Sequence, residues 1–315
     1  MPLPQDERVV ALANDLIAQF HSMFGPHPTF RPAHAKGLML AGTFKPAAGA
    51  MALTTAPHVI RESTPVTVRF SNSTGLPAIP DNAPEANPRG FAIRFNLAEH
   101  VHTDIVSHST DGFPTHDGKE FLEFLQAAAA SGPDVPLPKP IEKFLAAHPA
   151  ALAFVQTPKP FPTSFARDTY YGVTAFKFTN DAGESKSGRY RIVPEEGNSY
   201  LTDAQVAALP ANYHFEEIVE RVVKAPIRFK ILVQIAALED TVDDATIHWP
   251  ESRELFELGT LELTAVLPDN PAQQQRIIFD PIPRVDGIEP SADPLLELRA
   301  AIYLLSGRER RAAKP

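Results

Sequence analysis

Two short segments of this sequence alternate strictly between apolar and polar or small residues. In PVTVRFS, residues 65–71, and in GFAIRF, residues 90–95, every second residue is apolar. A period of two is typical of a β-strand with one buried face. We therefore expect two strands here, with Arg69 and Ser71 together on the face opposite the apolar one.

Strand-like and helix-like segments continue along the chain. Strand patterns recur in YYGVTAFKFTN, GRYRIV, RFKILVQIAAL and TLELTAVL, whereas residues 6–24, KEFLEFLQAAAA, IEKFLAAHPAALAFV and residues 202–224 are helical in pattern. About eight strands interrupted by helices predict an α+β fold, an antiparallel eight-stranded β-barrel with surrounding helices. We expect one domain over residues 1–315, with an N-terminal helix at 6–24, the barrel and inserted helices at 30–267, and a C-terminal loop and helix at 279–311.

The composition excludes several classes of site and partner. The chain has no cysteine, so disulfides and thiolate-bound metals are excluded, and the net charge of −9 argues against a nucleic-acid partner. The N-terminal segment does not resemble a signal peptide, and no apolar run reaches the ~18 residues that a membrane helix needs. We expect a cytoplasmic protein with no membrane partner.

The C-terminal helix carries a polar pair on one face. Asp293 is a predicted N-cap, Pro294 the first helical residue and Gly307 the C-terminal stop. Within the helix Arg299 and Tyr303 are four residues apart, so their side chains lie over one another. They could be a packed tyrosine with an exposed arginine. Alternatively, a guanidinium at ~4 Å would stabilise a phenolate by roughly 4 kcal/mol at an effective dielectric constant of ~20, giving a ligand for ferric iron.

Other polar residues allow several chemistries. His34, between two alanines, is uncommitted by itself. The segment DIVSHSTDGFP could hold a metal site with one histidine and two carboxylates, or a Ser–His–Asp group, using Asp104, Ser107, His108, Ser109 and Asp111. Neither has a diagnostic spacing, and no G-x-S-x-G or H-E-x-x-H motif is present.

Five segments, taken in order, resemble the catalase superfamily: RPAHAKG, TPVTVRFSNSTG, NPRGFAIRFNL, TDIVSHSTDGFP and FDPIPRVDGIEPSADPLLELRAAIY. The resemblance covers most of the chain and implies an antiparallel barrel with external helices around a buried haem b. It matches His34 to the distal catalytic histidine and Ser71 to the serine that hydrogen-bonds it. It matches Tyr303 to the iron ligand and Arg299 to the charge partner of that ligand.

The resemblance also implies the residues that surround the cofactor. Three arginines match those that bind the haem propionates: Arg31, Arg69 and Arg310. Three aromatic residues match those that line the distal side: Phe113, Phe121 and Phe124. The arginines would pair with the two haem propionates, although the protein as a whole is acidic.

Two positions depart from the family pattern. His108 stands where a distal asparagine is expected, and Asn87 stands where an acidic residue is usual. The chain is also short at both ends relative to typical catalases, so it is similar to the minimal, catalase-related peroxidase branch. We expect a monomer or a homodimer.

The resemblance implies a haem peroxidase that uses hydrogen peroxide or organic hydroperoxides to oxidise small organic donors, with weak catalase activity. His34 would act as the acid–base catalyst, with Ser71 and His108 beside it. Three alternatives stay open: a haem isomerase or hydroperoxide-rearranging enzyme, a non-catalytic haem-binding or sensing protein, and a haem-free barrel that binds another ligand.

Overall fold

The computed structural model describes residues 2–314, which form ten β-strands and nine α-helices. The strands are β1 Gly37–Pro46, β2 Thr64–Ser71, β3 Gly90–Ala98, β4 Val101–His108, β5 Tyr170–Tyr171, β6 Phe176–Thr179, β7 Ser185–Pro194, β8 Ile227–Ile235, β9 Leu255–Val266 and β10 Ile288–Pro290. The helices are α1 Glu7–Phe24, α2 Pro57–Ile60, α3 Gly118–Ala129, α4 Pro140–Ala147, α5 Pro149–Gln156, α6 Asp203–Ala208, α7 Tyr213–Lys224, α8 Asn270–Arg276 and α9 Pro294–Ala312.

Eight of the strands close into an antiparallel barrel. Around the ring the order is β1, β2, β3, β4, β5, β7, β8 and β9, and β9 pairs with β1. Strand β7 closes the ring because it pairs with β5 on one edge and with β8 on the other. Strands β6 and β10 extend the sheet outside this ring. The predicted eight-stranded barrel with helices is confirmed.

The alternating segments place their apolar residues inside the barrel, as the period predicts. Phe70 and Phe91 are at most 1% exposed, and their rings stack with centroids 4.7 Å apart. The opposite face is also buried: Arg69 and Ser71 are each 3% exposed. Gln274 of α8 covers this face, because its side-chain oxygen accepts a hydrogen bond from Arg69 Nε at 2.9 Å. The second face of β2 is therefore a protein interior, which the strand pattern alone does not reveal.

Helices α1, α3 and α9 pack together through a second apolar cluster that includes Leu16, Leu125 and Leu298. Helix α1 begins after the N-cap Asp6, whose side chain accepts a hydrogen bond from the amide of Arg8. Together these helices form a layer outside the barrel.

Helix α9 begins as predicted but does not end at Gly307. The side chain of Asp293 caps the helix by accepting a hydrogen bond from the amide of Leu295 at 2.9 Å. The helix continues to Ala312. Gly307 is buried, and a Cβ atom at this position would lie 2.4 Å from Ile278. The prediction of a C-terminal stop is wrong, because this glycine allows close packing rather than a left-handed turn.

Two predicted helical segments are each divided into two helices. Segment 141–155 breaks at His148, because Pro149 disfavours helical geometry at the residue before it and begins α5. Segment 202–224 forms α6 and α7, separated by a connection that contains Pro210. None of the described helices is long and apolar enough to cross a membrane. The assignment of residues 1–315 to one domain stays a prediction.

Candidate active site

One cavity lies between the outer face of the barrel wall and the helical layer. About 240 Å³ of it can be occupied by the centres of water-sized molecules. Strand register sets Ser71, Gly90 and His108 side by side on β2, β3 and β4, and Arg69 next to Ala92 on the same face. The cavity is bordered by the ten residues of the predicted site: Arg31, His34, Arg69, Ser71, His108, Phe113, Phe121, Arg299, Tyr303 and Arg310.

Phe124 is not part of the cavity lining. Its ring centroid lies 6.3 Å from that of Phe121 and 5.7 Å from that of Phe144 in α4. Phe121 itself faces the cavity and lies 4.9 Å from Phe113, centroid to centroid. Phe124 lies three residues beyond Phe121 in α3, so its side chain packs against Phe144 of α4 and does not border the cavity.

His34 and Ser71 are hydrogen-bonded within the cavity. Ser71 Oγ lies 3.2 Å from His34 Nδ1, and no described residue is hydrogen-bonded to His34 Nε2. Burial, together with the charge of Arg69, lowers the pKa of His34 from 6.5 to about 4. The imidazole is therefore neutral at pH 7, with one ring nitrogen anchored and the other available.

Gly90 makes this contact possible. A Cβ atom at Gly90 would lie 2.4 Å from Ser71 Oγ and 2.8 Å from His34 Nδ1. Because real Cβ atoms do not approach so closely, the His34–Ser71 pair requires glycine at this position. The sequence analysis missed Gly90 as a site residue, although its place in the segment NPRGFAIRF was a signal.

His108 is the second imidazole of the cavity. Its Nδ1 accepts a hydrogen bond from the amide of Thr110 at 3.3 Å. Burial lowers the pKa of His108 to about 3, and the neighbouring His34 and Arg299 act in the same direction. His108 is therefore also neutral at pH 7.

The alternative sites near His108 are not formed. Asp104 binds Arg94 at 2.7 Å, and Asp111 binds Arg191 at 2.9 Å, so each carboxylate already has an arginine partner. Ser107 Oγ donates to the carbonyl oxygen of Phe91 at 2.7 Å. Across residues 2–314 no group of three or more histidines and carboxylates is arranged to hold a metal ion.

Tyr303 and Arg299 are in contact on the face of α9 that borders the cavity. Arg299 Nε donates a hydrogen bond to the Tyr303 hydroxyl oxygen at 3.2 Å. The tyrosine oxygen and the arginine that donates to it thus border the same cavity. A role for Tyr303 as a metal ligand stays a prediction.

Three arginines converge on one part of the cavity: Arg69 and Arg310, each 3% exposed, and Arg31, which is partly exposed. Arg31 and Arg310 donate to the carbonyl oxygen of Ile277 at 3.1 and 3.0 Å, and Arg69 donates to that of His34 at 2.8 Å. Burial, and then repulsion from the neighbouring arginines, lowers the pKa of Arg31 strongly and that of Arg69 to about 9. Burial is the main cause that lowers the pKa of Arg310 to about 10.

These three arginines donate to uncharged oxygens and have no carboxylate partner among the described residues. Buried charges are normally paired, so the cluster is incomplete without an anionic group. Arg310 Nε, which is buried and has no hydrogen-bond partner, adds an unmet donor to the same cluster. The arrangement fits a ligand that carries carboxylates, such as the two propionates of a haem.

Helix α8 supplies the framework of this cluster. Gln274 accepts from Arg69 Nε, and its amide nitrogen donates to the carbonyl oxygen of Gly37 at 2.9 Å. The backbone carbonyl of Gln274 also accepts from Arg31 at 3.3 Å. Sequence reasoning missed Gln274, because a glutamine in a short polar helix carries no signal of its tertiary contacts.

The fold places the protein in a structural class. The crystal structure of a fungal catalase superimposes with a TM-score of 0.80, at 23% identity, over 99% of this chain and 64% of that chain. Catalase A from Saccharomyces cerevisiae gives a TM-score of 0.80, at 22% identity, over 98% of this chain and 65% of that chain. The protein thus has the catalase fold, and it spans less than two thirds of the length of these solved catalases.

Sequence comparisons extend this likeness from fold to family. A family model described as Catalase matches residues 16–314. A catalase-related peroxidase from Synechococcus elongatus is 33% identical over 304 residues, which cover 94% of this chain and 88% of that protein. Another, from Mycolicibacterium paratuberculosis, is 30% identical over 299 residues, covering 92% of this chain and 94% of that protein. The chain belongs to the catalase family.

Proposed function

We propose that this protein is a haem peroxidase that uses hydrogen peroxide or an organic hydroperoxide to oxidise small organic donors, with weak catalase activity. The observation that carries the proposal is the content of one cavity. It combines the Arg299–Tyr303 pair on α9, the His34–Ser71 pair at the barrel wall, and a cluster of three arginines that have no carboxylate partner among the described residues. The names of the two catalase-related peroxidases that are similar over nearly the whole chain support the same reaction class.

The proposed cofactor is haem b. Tyr303 would ligate the iron, Arg299 would donate a hydrogen bond to the tyrosine oxygen, and Arg31, Arg69 and Arg310 would bind the propionates. When bound, haem supplies an iron that polarises the peroxide bond and stores the oxidising equivalents. The protein's own residues would bind the haem, orient the peroxide and transfer its proton.

His34 is the proposed acid–base catalyst. In the tautomer whose Nδ1–H donates to Ser71 Oγ, the neutral imidazole can take the hydroperoxide proton at Nε2. The same proton then returns to the oxygen that leaves as the O–O bond breaks. In balance, ROOH takes up two protons and two electrons from the donor and gives ROH and water. Ser71 is a positioning residue in this scheme, since its hydroxyl is hydrogen-bonded to His34.

The test is the activity of the purified protein after haem loading. We expect a Soret band and oxidation of a phenolic dye by tert-butyl hydroperoxide, with little oxygen release from hydrogen peroxide. His34→Ala should retain the Soret band and lose dye oxidation, whereas Tyr303→Phe should weaken haem binding. His100→Ala, at a side chain that is 93% exposed, serves as the control. Strong oxygen release without dye oxidation would contradict the proposal.

We further propose that the protein is cytoplasmic and acts as a monomer or a homodimer. The absence of cysteine supports a reducing compartment. Light scattering after size exclusion measures the oligomeric state, and a tetramer would contradict this part of the proposal.

A further inference from the structure

A second, smaller pocket lies on the surface next to the arginine end of the cavity. About 210 Å³ of it can be occupied by the centres of water-sized molecules. Its lining consists of six residues: His21, Pro26, His27, Pro28, Phe30 and Glu309. None of these six borders the cavity that contains His34 and Tyr303, so the pocket is a separate compartment.

The chain itself places this surface pocket beside the arginine cluster. Three segments each contribute one residue to the cavity and the adjacent residue to the pocket: Phe20 and His21 of α1, Arg31 and Phe30 in the connection between α1 and β1, and Arg310 and Glu309 of α9. Adjacent Cα atoms are about 3.8 Å apart, so little more than these three segments separates the two compartments. A molecule in the pocket would lie close to the groups proposed to bind the haem propionates.

The lining of the surface pocket suits a small aromatic alcohol. Phe30 is 44% exposed, so its ring is open to contact with another ring. Pro26 and Pro28 are exposed on the same connection and add apolar surface. Histidine and carboxylate side chains of the lining can accept a hydrogen bond, which a phenolic O–H donates. Among the described residues that line the pocket none is lysine or arginine, so an anionic donor would find no cation there.

His27 has a basic nitrogen available in this pocket. Its Nε2 lies 3.1 Å from the carbonyl oxygen of Phe24, which can only accept a hydrogen bond. The N–H of a neutral His27 ring is therefore at Nε2, and Nδ1 retains its lone pair. No described residue is hydrogen-bonded to Nδ1. His27 Nδ1 can thus take a proton from a molecule bound in the pocket.

We propose that this pocket binds the reducing substrate of the proposed haem peroxidase, a small uncharged phenol, and that His27 accepts the phenolic proton. The inference rests on that function and adds the site of its donor. Oxidation breaks the phenolic O–H bond: one electron passes to the oxidised cofactor across the three segments, the proton passes to His27 Nδ1, and a phenoxyl radical leaves. Two phenol molecules supply the two electrons and two protons that the reduction of one hydroperoxide consumes. Peroxide and donor then occupy different compartments.

Binding is tested without turnover, on the haem-loaded ferric protein with p-cresol as the probe and no peroxide. Ferric iron relaxes nearby proton spins, so NMR relaxation of the p-cresol methyl group reports its dissociation constant and its proximity to the haem. We expect Phe30→Ala to weaken p-cresol binding about two- to tenfold, because the ring contact is lost, and Phe30→Tyr to retain it. Met51→Ala is the control, since Met51 is 49% exposed and lies outside both linings.

The proton acceptor is tested by comparing two donors during turnover with tert-butyl hydroperoxide. p-Cresol loses an electron and a proton, whereas hexacyanoferrate(II) loses an electron alone. His27→Gln keeps an N–H for the Phe24 carbonyl but has no basic nitrogen, so kcat/KM for p-cresol should fall about a hundredfold and that for hexacyanoferrate(II) should not change. His148→Gln is the matched control, because a ring nitrogen of this half-buried histidine also lies against a backbone carbonyl, that of Phe144 at 2.8 Å.

Each part of the inference has an outcome that overturns it. Equal p-cresol affinity in Phe30→Ala and the wild type, or displacement of p-cresol by fluoride bound at the iron, would overturn the donor pocket and leave the proposed function intact. An unchanged kcat/KM for p-cresol in His27→Gln, or an equal fall for both donors, would overturn the role of His27. A wild type without a Soret band or without dye oxidation would overturn both the inference and the proposed function.

Discussion

Replacing Gly90 by alanine should displace the catalytic histidine of the site. In Gly90→Ala the new methyl group would overlap Ser71 Oγ and His34 Nδ1, so His34 must move. A displacement of ~1 Å at a catalytic group can cost on the order of a hundredfold in rate. We expect kcat for dye oxidation to fall by about that factor with haem still bound. Gly49→Ala is the control, because a Cβ atom at Gly49 would meet nothing within 4 Å. Equal rates in the two variants would contradict this reading.

His58 is a buried residue with a measurable pH signature. It is 1% exposed, both ring nitrogens lack a hydrogen-bond partner in the described chain, and its ring centroid lies 4.3 Å from that of Phe95. Burial lowers the pKa of His58 to about 3, below the ordinary value of 6.5. Between these two values the unfolded chain binds a proton that the folded chain does not, so stability falls as the pH falls.

His58→Phe should therefore reduce the pH dependence of stability. We expect the slope of the unfolding free energy between pH 6 and 4 to decrease by about 1.4 kcal/mol per pH unit. Urea unfolding of the haem-free protein at several pH values measures this slope, with His100→Phe as the exposed control. An unchanged slope would show that His58 is protonated in the folded protein.

Helix α9 depends on close packing at Gly307. Alanine is intrinsically the better helix former by about 1 kcal/mol, but its Cβ would overlap Ile278. We expect Gly307→Ala to lower the free energy of unfolding by about 1–2 kcal/mol in spite of its helix propensity. In the double variant with Ile278→Val the penalty should shrink, because a methyl group is removed at the contact. A stabilised single variant would mean that Ile278 repacks without cost.

The same helix illustrates what the sequence can and cannot predict. Its start was predictable because Asp293 and Pro294 act locally, through one hydrogen bond and one fixed backbone angle. The end of the helix was not predictable, since Gly307 is there to allow close packing against Ile278, which lies in a different segment. Likewise, the strand period identified the core residue Phe70, whereas the burial of Arg69 depends on Gln274, about 200 residues further along the chain.

At the scale of the whole molecule, we expect the cluster of Arg31, Arg69 and Arg310 to destabilise the haem-free protein, because its charges have no carboxylate partner. Arg310→Met removes a buried cation that has no carboxylate partner, and the carbonyl of Ile277 keeps its hydrogen bond from Arg31. We expect thermal unfolding of the haem-free variant at the wild-type temperature or above. Haem affinity should fall by about 10- to 100-fold, since a hydrogen bond to a charged propionate is lost.

Arg253→Met is the control for this charge removal, because Arg253 pairs with Asp240 at 2.8 Å away from the cavity. It should leave haem affinity unchanged. If Arg310→Met binds haem as tightly as the wild type, the cluster does not serve the propionates.

The contact between α1 and α9 has a consequence for the order of assembly. These helices are separated by about 270 residues of sequence, yet they pack together beside the cavity through α1 residues such as Leu16 and α9 residues such as Leu298. Contacts between such distant segments carry a larger loop-closure entropy than the barrel hairpins and tend to form later. We therefore expect the local barrel hairpins to form before the pocket is complete, so that cofactor capture coincides with the last stage of folding.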